Sequence, residues 1–116
     1  MPRTRMVTQF GMGTSIRQAH YTRAAERAIR DALWHNSLAV ADAFGFPREA
    51  MQIEVEIGVQ KPDAVETEAL TSIFPYGTPN FAVREGGLDI PKPDGSGKTV
   101  IANAAITVFF DMEPAT

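Results

Sequence analysis

Reactive side chains are densest in residues 11–22, GMGTSIRQAHYT, where Ser15, Arg17, Gln18, His20 and Tyr21 follow Gly11 and Gly13. Hydroxyl, guanidinium, amide and phenol groups supply hydrogen-bond donors. His20 is the group there that ordinarily titrates near neutrality, as a general acid or base must. A strand that ends in glycines and leads into a helix also gathers free backbone N–H groups and the positive end of a helix dipole, which suits an anion. Gly11, Gly13, Arg17 and Gln18 are therefore candidate substrate-binding residues, and His20, Ser15 and Tyr21 candidate catalytic ones. A plain solvated strand-to-helix connection has the same ingredients.

Several chemistries are disfavoured. The dinucleotide fingerprint needs a third glycine at the helix start, and this chain has Ile16 there. GSGKT, residues 95–99, resembles the end of a P-loop, but Lys92 stands where the first glycine belongs and a strand pattern follows. That segment reads as a hairpin turn. The only histidines, His20 and His35, have no partners at ligand spacing, so neither a metal nor any other cofactor is expected. The chain has no cysteine, which removes disulfides, thiolate metal sites and cysteine nucleophiles together. A net charge of −3 gives no bulk field for nucleic acid or an anionic membrane. No apolar run approaches the length of a signal or membrane segment, so a cytoplasmic protein is expected.

The elements that must position these residues follow from periodicity. With 116 residues, 44% of them hydrophobic, residues 1–116 form one globular domain. RMVTQFGM, residues 5–12, reads as a strand ended by its glycines; Thr22 is a plausible N-cap for a helix burying Ala25, Ile29, Ala32 and Leu33. QIEVEIGV alternates as a strand with one wet face. Asp63 and Glu66 have capping-box spacing for a second short helix that Pro75 and Gly77 end. NFAVREGGLDI is a third strand with Gly86 and Gly87 as a bulge, and TVIANAAITVFFD, apolar on both faces, is a central last strand carrying Asn103. The order β-α-β-α-β-β predicts an α+β domain: a four-stranded mixed sheet with two helices on one face and an antiparallel last strand. The other face needs cover, and Val7, Ile101, Ala105 and Phe109 mark it as a surface for oligomerisation.

GMG, TRAAERAIRDAL, NSL, IGV, FPYG, EGGL and NAAITV occur in an order and spacing that resemble a family of small bacterial and archaeal proteins known by a Listeria locus name and described as conserved hypothetical. The resemblance implies a chorismate-mutase-like fold, similar to that of the trimeric reactive-imine deaminases and of each repeat in cyanuric acid hydrolase and barbiturase. Members of the family typically read Gly-x-Gly-x-Asp-x-His-Gly-x-Asp before the helix. Ser15, Arg17, Gln18 and His20 stand here at the Asp, His, Gly and second Asp. An acidic loop has thus become neutral to basic, which points to an anionic substrate or to a subunit specialised for binding.

The reading that follows is a homo-oligomeric, trimeric small-molecule enzyme that opens a ring or hydrolyses a C–N bond of a cyclic amide or imine, with sites between subunits. Arg17 and Arg84 bind a carboxylate or imide oxygen, His20 is the leading acid/base group, Ser15, Tyr21 and Lys61 assist, and Asn103 positions the substrate. Two alternatives stay open. One is a non-catalytic ligand-binding or scaffolding subunit assembling with a paralogue. The other is a tautomerase using the amine of Pro2.

Overall fold

The computed structural model describes residues 3–16, 20–34, 51–74 and 77–111. Within them the chain forms a mixed α+β arrangement: β1 (Arg3–Ser15), α1 (Tyr21–Trp34), β2 (Gln52–Val59), two 3-10 segments (Pro62–Ala64 and Thr67–Ile73), β3 (Thr78–Glu85), β4 (Leu88–Pro91) and β5 (Lys98–Asp111). The strands make one five-stranded sheet in the order β1-β5-β2-β3, with β4 also on β5. β5 is antiparallel to β1, β2 and β4, while β2 and β3 are parallel.

β5 is central for the reason its composition implied. Val100, Ala102, Ala104, Ile106, Val108 and Phe110 are all buried. They meet Ile53, Val55, Ile57 and Val59 of β2 beneath Ala24, Ala25, Ala28, Ile29 and Ala32 of α1. Burying this one face of the sheet against one stripe of the helix builds the core.

Four expectations are corrected. β1 does not end at its glycines but continues to Ser15. A Cβ on Gly11 would lie 2.2 Å from the Ala28 carbonyl oxygen, and one on Gly13 2.3 Å from the Ala28 nitrogen. The glycines are therefore where strand and helix backbones touch. The helix begins at Tyr21 and not after Thr22, because the Nδ1 of His20 accepts the Arg23 N–H at 3.2 Å and caps it.

The second helix consists of 3-10 turns. Thr22 explains part of this: its hydroxyl accepts the Glu66 N–H at 2.9 Å and holds the chain extended between the two segments, and no side-chain cap forms at either. Finally, the expected third strand is two strands, which raises the count to five. Gly86 and Gly87 carry the chain past the end of β2, where Gly86 donates to the Val59 carbonyl at 2.9 Å, and β4 takes the place beside β5 that β2 has left. A Cβ on Gly87, at φ +61°, would fall 2.0 Å from the Ile101 carbonyl oxygen, so the crossing demands glycine. The expected helix region after Trp34, like Pro2, Arg17, Gln18 and His35, lies outside the described residues.

Candidate functional site

The start of α1 and the β4–β5 hairpin meet around one carboxylate. Tyr21, the first helical residue and buried, donates its hydroxyl to Asp89 Oδ2 at 2.5 Å. Lys98, the first residue of β5, places its Nζ 3.0 Å from the same oxygen and 5.6 Å from the centre of the Tyr21 ring. The hairpin register makes this possible: Asp89 pairs with Val100, so Lys98 lies diagonally next to Asp89 on the helix face of the sheet. Ser15 pairs with Val100 from the other side and is buried in the same row. Asp89 Oδ1 is shielded from solvent and makes no hydrogen bond.

The electrostatics of the cluster are settled by these contacts. Burial opposes the charge on Asp89, but hydrogen bonds from Tyr21 and Lys98 and the nearby Lys98 and Lys61 ammoniums outweigh it and hold the carboxyl below its ordinary value. Burial, then the hydrogen bond to Asp89, pushes the Tyr21 phenol up. Lys98 is raised by its hydrogen bonds with Tyr21 and Asp89. At neutral pH the cluster is a phenol, a carboxylate and an ammonium, each far from exchanging its proton.

The positions named from sequence divide into two sets. Ser15, His20 and Tyr21 gather at this end of the helix face. Lys61 is exposed just after β2, where its charge reaches Asp89. His20 is exposed, and its commitment of Nδ1 to the helix cap leaves Nε2 as the nitrogen able to carry a proton outward.

Asn103 and Arg84 lie on the opposite face of the sheet, in one row that runs Met12, Asn103, Gly58, Arg84 across four strands. Arg84 is exposed there and pairs with Glu56 at 3.0 Å. Within one chain the sheet separates the two sets. Gly11 and Gly13 belong to neither, since helix backbone fills the space a ligand would need beside them.

Asp89 and Lys98 went unnoticed in the sequence. Lys98 sits inside the GSGKT resemblance, whose dismissal as a turn is correct: Lys92 and Gly97 close it by a 2.8 Å backbone hydrogen bond. A hairpin register counted outward from that turn would have faced Lys98 with Asp89. Gln60 also escaped notice; its Nε2 donates to the carbonyls of Gly86 and Gly87 at 3.1 and 3.2 Å and fastens the crossing that places Asp89. Among the described residues there is no group of three or more His, Cys, Asp or Glu able to hold a metal ion, and no helix long and apolar enough to cross a membrane.

A family model described as a conserved hypothetical protein, Lin0512_fam, matches residues 5–108, and the chain belongs to that family. The chain is also similar to a crystal structure of an FtsZ-like protein of unknown function from Nostoc punctiforme, at 32% identity and a TM-score of 0.85, over 97% of this chain and 99% of that one. No curated protein matches.

Proposed function

We propose that this member of the Lin0512_fam family is a homo-oligomeric small-molecule enzyme whose sites lie between subunits and hydrolyse a C–N bond in an anionic cyclic amide or imine. The observation that carries the reading is the division of the polar groups between the two faces of the sheet. Ser15, His20 and Tyr21 cannot meet Asn103 and Arg84 of their own chain, but can meet those of another.

In this reading water adds to the carbonyl or imine carbon while the Nε2–H of His20, the tautomer that its Nδ1 cap fixes, donates a hydrogen bond to the oxygen or nitrogen on which charge develops. The C–N bond then breaks as a proton of the added water passes to the departing nitrogen, which leaves as an amine or ammonia. Arg84 and Arg17 hold the substrate oxygens, and Asn103 orients the ring. Tyr21 is a positioning residue rather than an acid or base, since its hydroxyl is committed to Asp89. No cofactor takes part.

The family resemblance implies a chorismate-mutase-like core and with it a trimer, and the packing of α1 on one face of a mixed sheet agrees with such a core. That assignment is an analogy of fold, which narrows the reactions to try first without fixing one.

The test is ammonia release and ring opening across a panel of cyclic amides, imides and imines. His20→Ala should lower kcat, and Arg84→Ala should mainly raise KM. An assembled, folded protein inactive on the whole panel would defeat the enzyme reading.

One observation favours a second reading, a non-catalytic binding subunit working with a paralogue: Tyr21, Asp89 and Lys98 are all driven away from titration near neutrality, opposite to what acid/base catalysis asks. Native mass spectrometry of the protein from its own host separates the two, since a mixed assembly whose activity survives His20→Ala but not mutation of the partner supports the second. The tautomerase alternative rests on Pro2; blocking the N-terminal amine without effect on enol–keto conversion removes it.

A further inference from the structure

We infer that Met12 is a modification site, oxidised by peroxide to the sulfoxide, and that the oxygen it gains draws the Asn103 carboxamide away from substrate. The modification stands on the chain by itself. Its effect on turnover is a regulation of the proposed site and so rests on the reading of Asn103 as the group that orients the ring.

Susceptibility of a methionine to oxidation follows its exposure. Met12 and Met51 are the methionines whose side chains are among those described, and they are opposites: Met12 is 55% exposed on the open face of the sheet, whereas Met51 is fully buried in the core. The strand's alternation holds Met12 out. Gly11 and Gly13 on either side of it press against the backbone of α1, which turns the side chain between them to the other face.

The residue across the ladder sets Met12 apart from an ordinary surface methionine. Met12 pairs with Asn103 of β5. Its N–H points away from β5, to Asp31 Oδ2 at 3.0 Å, and the Thr14 carbonyl two residues on points outward to the Arg27 guanidinium at 2.6 Å. An antiparallel residue whose backbone groups turn away from the neighbouring strand belongs to a non-hydrogen-bonded pair, the closer of the two kinds, with Cα atoms about 4.5 Å apart and both side chains on one face. Asn103 is exposed there, and among the described residues its carboxamide has no hydrogen-bond partner. Two uncommitted donors thus stand beside the sulfur.

The Met12 sulfur attacks one oxygen of hydrogen peroxide, the S–O bond forms as the O–O bond breaks, and the second oxygen leaves as water. Sulfur is oxidised by two electrons and the peroxide is reduced by two. A thioether accepts hydrogen bonds weakly, while the polar sulfoxide takes one from Asn103 Nδ2. Met12 lies outside the buried core, so the fold is kept, and a methionine sulfoxide reductase restores the thioether.

The test treats the isotope-labelled full chain with hydrogen peroxide and follows it by peptide mass spectrometry and by NMR of the Asn103 side-chain amide, assigned from its loss in Asn103→Ser. The Met12 peptide should gain one oxygen while the Met51 peptide gains none until the chain is unfolded in urea. The Asn103 amide protons should move downfield and exchange more slowly with solvent in oxidised wild type, and do neither in Met12→Leu treated alike. A Met12 that reacts no faster than Met51, or that oxidises without slowing exchange at Asn103, overturns the inference.

With a panel substrate, oxidised wild type should show a raised KM that the reductase reverses and that Met12→Leu, compared with its own untreated form, does not develop; an unchanged KM overturns the regulation. Oxidation that captures Asn103 in a protein inactive on the whole panel leaves the modification standing and defeats the enzyme reading. Turnover by a chain whose Met12 resists peroxide does the reverse.

Discussion

Asp89 ties three elements to one atom. Tyr21 from α1 and Lys98 from β5 both donate to its Oδ2, and β4 supplies the carboxylate. Removing the phenol hydroxyl strips a donor from a carboxylate in a largely buried setting, so Tyr21→Phe should cost about 1–3 kcal/mol of unfolding free energy, measured by urea titration.

The pH dependence follows from the directions of the shifts. Asp89 is held below its unfolded value of about 4, so its contribution is complete above that value and is lost as pH falls through the lower folded one. Tyr21 and Lys98 are raised, so theirs is complete below their unfolded values, about 10 and above, and is lost as pH rises through the folded ones. The cluster's contribution to stability should therefore form a flat plateau across neutrality. Asp89→Asn, which keeps an acceptor for Tyr21, should lower that plateau and flatten its acid limb; an acid limb as steep as that of wild type would contradict the cluster. Sequence reading found Ser15 and Tyr21 because they stand beside the glycines. It missed Asp89 and Lys98 because a hairpin register, not local spacing, brings them there.

At the scale of elements, close backbone approach decides more than loop chemistry. GMG looks like a ligand loop in sequence, because a glycine that admits a ligand and a glycine that admits a helix leave the same letters. Alanine at position 13 would press a methyl group onto Ala28 N and Ala24 O, at 2.3 and 2.4 Å. Gly13→Ala should thus cost about 3 kcal/mol or more. Gly95→Ala serves as the contrast, with nothing within 4 Å and only its φ of +76° against it; about 1–2 kcal/mol is expected there. Equal urea midpoints for the two variants would show that the helix can move away.

The capped edge of β1 gives another expectation. Asp31→Ala frees the Met12 N–H on a long edge strand, and light scattering should show slow aggregation that wild type lacks. The periodicity of β2, α1 and β5 was legible because each buries one continuous stripe. The 3-10 segments were not, since a tertiary hydrogen bond from Glu66 to Thr22, 44 residues back along the chain, overrides a helical pattern.

Among the described residues the molecule is a sheet covered on one side. That much was readable in the sequence, from the element order and from a last strand apolar on both faces, and Ile101, Ala105 and Phe109 do lie on the open face; the side chain of Val7 is outside those described. The separation of the candidate site into two faces was not readable, because the parity of each strand matters only once its neighbours are known. Polar groups that one chain holds apart are, in the proposed assembly, brought together between chains.

The most direct test mixes two variants under conditions of subunit exchange. His20→Ala and Arg84→Ala, each impaired alone, are combined, and turnover of a panel substrate is followed as the mixture equilibrates. Random assembly gives one interface in four with both halves intact, so activity should rise to about a quarter of wild type. A mixture that stays no more active than the average of its two components would contradict a site shared between copies.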